Sequence, residues 1–87
     1  MPKFVIEREI PNAAALPWRD VAGKSCGVIR DMASRVQWLE SFVTKDKVYC
    51  IYIAPDEAAL REHAQRGGFP ANRISKIERI VDPTTSE

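Results

Sequence analysis

Two apolar runs, Val36–Thr44 and Lys47–Ala54, are separated only by Lys45 and Asp46. Both are rich in β-branched and aromatic residues, so each reads as a strand, and a two-residue link joins them as an antiparallel hairpin. Lys-Asp is not the favoured pair for such a turn. If Thr44 and Lys47 pair across it, Val43, Ser41 and Leu39 share one face with Val48, Cys50 and Tyr52. Phe42, Glu40 and Trp38 then share the other with Tyr49, Ile51 and Ile53. Both faces are largely apolar. A sheet covered by helices on one side should turn polar on the other, and an exposed aromatic and aliphatic patch of this width is unusual in a soluble monomer. The pattern predicts a two-fold homodimer packed sheet to sheet. The alternative is a twisted sheet with one wet, partly apolar face.

The rest of the chain builds around that hairpin. Lys3–Ile10 reads as a strand ended by Pro11, and Pro11–Ala15 as a connector. From Pro17 to Ala33 the positions Trp18, Val21, Ala22, Ser25, Ile29 and Met32 recur at helical spacing, with Pro17 in the first turn. Pro55-Asp56-Glu57 opens a second helix, with acids that suit its positive end. It runs through Leu60 and Ala64 and stops at Gly67, taken as the left-handed exit residue. Arg73–Val81 reads as a fourth strand and residues 82–87 as a polar tail. The order is β-α-β-β-α-β, an α+β ferredoxin-like arrangement: a four-stranded antiparallel sheet with both helices on one face. Residues 1–87 read as one domain.

Composition narrows the function classes. A chain of 87 residues buries roughly 60% of its unfolded surface, so its core is small. A formal net charge of +1, with acids and bases interspersed, provides no field to attract nucleic acid or an anionic membrane. No window is long and apolar enough to span a bilayer, and the first residues carry no signal-like apolar region. The expected location is the cytoplasm, where two cysteines stay reduced.

Chemistry has few places to reside. His63 is the only histidine. It sits near the end of the second helix, on the flank of the buried stripe, just before Gly67-Gly68-Phe69-Pro70-Ala71-Asn72. It suits a general acid/base or a metal ligand, or else a half-buried ring completing the helix end. Neither Ala59 nor Gly67 can be its i±4 metal partner, so other donors, Glu62 foremost, would have to complete a shell. Cys26 and Cys50 fit either soft ligation or simple burial, and burial is the commoner fate of a free cysteine. Gly27 in mid-helix suggests a close approach by some neighbour. Trp38, Phe42, Tyr49 and Tyr52 could wall a pocket for a planar molecule, though core or dimer contact is the plainer role.

Several segments together resemble a known family. They are Met-Pro-Lys-Phe-Val-Ile-Glu-Arg-Glu-Ile-Pro at the start, Ser25-Cys26-Gly27-Val28-Ile29-Arg30, and Tyr49-Cys50-Ile51-Tyr52-Ile53-Ala54-Pro55. Arg61–Arg73 and Asp82-Pro83-Thr84-Thr85 complete the match. The chain is similar to small bacterial ferredoxin-like proteins, mostly of unknown function, one of them nickel-responsive and nickel-binding. The resemblance implies a cytoplasmic dimer able to bind Ni²⁺. From the residues themselves, His63 with Glu62 is the expected metal pair, because nickel favours imidazole nitrogen. Two functions follow as expectations. The first is a non-enzymatic protein that binds or sequesters nickel. The second is a small-molecule binding protein, or a cofactor-independent isomerase or monooxygenase-like enzyme, with Cys26, Trp38, Tyr52 and His63 around its pocket.

Overall fold

The computed structural model describes all 87 residues. In chain order the elements are β1 (Lys3–Glu9), α1 (Trp18–Asp31), β2 (Gln37–Val43), β3 (Lys47–Ile53), α2 (Glu57–Gly67) and β4 (Arg73–Lys76). Short 3₁₀ turns occupy Ala13–Ala15 and Pro83–Ser86, the latter within the expected polar tail. The four strands form one antiparallel sheet in the order β2-β3-β1-β4. This is the order that two crossovers must give when each skips one strand: β1 to β2 over β3, and β3 to β4 over β1. The α+β ferredoxin-like arrangement expected from the element order is present.

Both helices lie on the same side of the sheet. There Phe4 and Ile6 of β1 and Val48, Cys50 and Tyr52 of β3 meet Ala59 and Leu60 of α2, with Met32 and Val36 closing one end. The α1 stripe of Trp18, Val21, Ala22, Ser25 and Ile29 also faces inward, but only Ser25 of that helix is fully buried. α1 therefore covers the sheet loosely, and a cavity remains beneath it.

Several boundaries differ from the sequence reading. α1 ends at Asp31, because Ala33 and Ser34 turn left-handed at φ 58° and 55°. Neither is a glycine, so nothing in the sequence marked that exit. The left-handed residue after α2 is Gly68, at φ 71°, not Gly67. Gly67 is needed for a different reason. The Phe69 ring folds back over it, and a Cβ there would overlap that ring. β4 stops at Lys76, opposite Phe4, instead of running to Val81. Its last bond to β1 is from the Ile77 N–H to the Lys3 carbonyl at 2.9 Å. β1 begins at Lys3, so Glu78–Val81 has no strand to pair with.

The hairpin register holds from Val43↔Val48 to Glu40↔Ile51, then slips at Leu39, so that Trp38 pairs with Tyr52. This β-bulge inserts one unpaired residue and reverses the side-chain phase beyond it. Trp38 consequently belongs to the helix-covered face and not, as regular alternation predicts, to the outer one.

Candidate functional site

The inner face of β1 and β3 places three polar side chains in a row. Arg8 follows Ile6 by two residues and is 5% exposed; Cys50 and Tyr52 stand on the neighbouring strand, 5% and 2% exposed. The Arg8 guanidinium donates from Nη1 to the Pro70 carbonyl at 2.6 Å, from Nε to Cys50 Sγ at 3.4 Å, and from Nη2 to the Tyr52 hydroxyl at 3.5 Å. Phe69 lies against it, with the guanidinium carbon 5.6 Å from the ring centroid. The Phe69-Pro70 turn is held here by the tight exit from α2, since the Phe69 N–H donates to the Ala64 carbonyl at 2.9 Å.

Above this row is a cavity of about 50 Å³. Arg8, Cys50, Tyr52 and Val48 form its floor, and Trp18, Val21, Ala22 and Ser25 of α1 its roof. Trp38 and Ser41 close the β2 side, where the Trp38 indole N–H donates to the Ser41 hydroxyl at 3.0 Å. The bulge at Leu39 brings Trp38 into this wall. Both tryptophans of the chain line the cavity, and none of its lining residues is acidic. On the same measure one water needs roughly 10–15 Å³, so the space has room for about four waters, or for one short-chain organic molecule of similar bulk.

His63 lies behind the cavity wall and does not line it. It is fully buried, at 0% exposure, not half-buried on a flank. Its Nε2 is 3.1 Å from the Ser25 hydroxyl, and its ring stacks obliquely between Tyr52 and Phe69 at 5.3 and 5.6 Å. Burial, reinforced by the Arg8 charge, lowers its pKa from the ordinary value, so the imidazole is neutral at pH 7. Burial likewise raises the Tyr52 pKa, against the pull of Arg8, and keeps that hydroxyl protonated.

Ser25 and His63 have the spacing of a nucleophile and its base. A working pair needs a third group to orient the ring and stabilise the imidazolium. Here Nδ1 has no hydrogen-bond partner in the protein, and Arg8 opposes a positive ring. The pair reads as a core contact.

The expected metal pair is not brought together. His63 faces the core, while each carboxylate oxygen of Glu62 is taken by a guanidinium, Arg35 at 2.7 Å and Arg66 at 2.6 Å. Those two cations, Arg35 foremost, hold the Glu62 pKa below its usual value. No three His, Cys, Asp or Glu side chains gather where they could hold a metal ion.

Of the four expected pocket residues, Trp38 and Tyr52 line the cavity, His63 sits one layer behind it, and Cys26 is elsewhere. Cys26 is exposed, beside a separate surface groove with Ile29, Arg30 and Val36. The close approach expected at Gly27 is absent: an added Cβ would meet only the Arg30 guanidinium, at 3.9 Å. Arg8 is the residue that sequence reasoning passed over. Its signal was a charge at an inward position, since Phe4, Ile6 and Arg8 alternate on one face of β1.

Comparison with known proteins gives two matches. A family model described as nickel responsive protein SCO4226-like covers residues 4–77. The crystal structure of SCO4226 from Streptomyces coelicolor A3(2) is similar at a TM-score of 0.74 and 18% identity, over 91% of this chain and 99% of that one. At that identity the likeness is one of fold alone. No curated protein matches.

Proposed function

The chain belongs to the SCO4226-like family of nickel responsive proteins, a name for a response and not for a reaction, and within it we propose that this protein binds a small organic molecule in the cavity beneath α1. The observation that carries this reading is a pocket with apolar walls, two indoles and a short row of convergent polar groups on its floor, the usual make-up of a small-molecule site. The polar groups come from rigid strands, which hold them in place. Binding is favoured over catalysis because Ser25 and His63 lack the third group that a nucleophile and its base need.

Tryptophan emission tests it, because both indoles line the site. A ligand that enters should change the emission, and Ala22→Leu, which fills the roof, should abolish the change while leaving the far-ultraviolet circular dichroism intact. An unchanged response in Ala22→Leu would place binding elsewhere.

Coordination of Ni²⁺ is a second reading, favoured by the family match. The donors of a single chain do not fit it: His63 is enclosed, Glu62 is held by two guanidiniums, and no third donor lies with either. A nickel site with three side-chain donors would have to draw on two copies of the chain, whereas a response to nickel needs no ligand in the protein itself. Calorimetric titration with Ni²⁺ separates the cases. The cavity reading predicts the same weak heats for wild type and His63→Ala; whole-number binding lost in the variant would reinstate the metal.

The second copy itself is part of this proposal. Phe42, Tyr49, Ile51, Ile53 and Val5 form a contiguous apolar patch on the outer sheet face, with Phe42 54% exposed. Burying that patch against its own symmetry mate is the simplest way to remove it from water.

A further inference from the structure

We infer, resting on the binding reading above, that the ligand of the cavity is a small monoanion with an apolar body, in its simplest form a short-chain carboxylate, and that its charge pairs with Arg8. A guanidinium almost wholly removed from water normally has a carboxylate beside it, because an uncompensated buried charge is costly. Arg8 has none. Its partners are a carbonyl, a cysteine sulfur, a hydroxyl and an aromatic ring, none of them a carboxylate. No acid lies within salt-bridge distance, and none lines the cavity.

The surroundings add to the positive side of the balance. Lys24 Nζ lies 5.8 Å from the centroid of the same Phe69 ring that packs on Arg8. His63 brings no compensating charge, since a histidine is either neutral or positive. Tyr52, with its proton retained, offers a hydroxyl donor beside the guanidinium. A carboxylate in the cavity would therefore meet the one N–H that Nη1 and Nη2 each keep beyond their bonds to Pro70 and Tyr52, while its tail met Trp18, Val21 and Trp38. The charge limits the ligand in two ways. One buried cation matches one negative charge, and it repels a divalent metal ion from the same space.

The test compares butyrate with butyramide, which have nearly the same shape and differ in charge, by tryptophan emission at neutral pH. A charge-assisted pair in a desolvated site should favour butyrate by about ten- to a hundredfold, and Arg8→Gln should remove that preference. Equal binding of acid and amide would leave the cavity a ligand site but overturn the anionic ligand. Binding of neither would overturn both. The comparison in wild-type protein decides the matter even where Arg8→Gln fails to fold.

Discussion

His63 and Gly27 show how one residue can carry more or less than its surroundings in sequence suggest. The imidazole, expected at the edge of the core, lies wholly inside it, with a lowered pKa caused first by burial and then by Arg8. The unfolded chain titrates near its ordinary value of about 6.5, so between the two pKa values it holds more protons than the folded one. Stability is therefore complete above the unfolded value and is lost as the pH falls through about 6.5 towards the folded pKa, at a slope of up to about 1.4 kcal/mol per pH unit. Urea unfolding at pH 7.5, 6.5 and 6.0 should show that slope in wild type and a nearly flat profile in His63→Gln. Gly27 is the converse case. A side chain there meets nothing closer than 3.9 Å, so Gly27→Ala should gain about 0.5–1 kcal/mol through helix propensity alone, read as a higher denaturation midpoint. A loss would mean that something packs against that position after all. Arg8 was passed over because a single basic residue late in an alternating strand looks like an edge position; its place in the Phe4-Ile6-Arg8 alternation was the signal, and its pairing and burial show the charge turned inward.

At the scale of elements, the sequence disclosed kinds and order better than ends and phase. Hydrophobic periodicity located both helices and all four strands, because each buries one face against the same small core. It could not show where β4 loses its partner, since that depends on where β1 begins. Nor could it show that Phe69, two residues beyond Gly67, folds back and makes that glycine necessary. The bulge in β2 matters most for the site. Without it Trp38 would face outward and the cavity would lack one wall. Deleting Leu39 removes the unpaired residue, so the ladder becomes regular with Trp38 still opposite Tyr52 and the indole still inward. Emission and iodide quenching should therefore stay close to those of wild type. A red shift with stronger quenching would mean that the bulge itself, and not the pairing with Tyr52, holds Trp38 inward.

At the scale of the molecule, the α+β arrangement followed from the hairpin and two crossovers, while of the site only Trp38 and Tyr52 did. It lies where a loosely packed helix meets a charged strand position, and neither feature is local in sequence. The outer face is the other whole-molecule consequence. Sedimentation should show a dimer for wild type and a monomer for Ile51→Glu, which sets a charge in the middle of the apolar patch; a monomeric wild type would leave that face to water. The central claim, a small anion held over Arg8 beneath α1, is tested most directly by ¹H–¹⁵N correlation spectra during titration with butyrate. The account predicts saturable shifts in both indole N–H signals, the Arg8 Nε–H and the Ser25 amide, with Cys26 and the outer-face residues Tyr49 and Ile51 unmoved. Shifts confined to the outer face or to the groove beside Cys26 would contradict it.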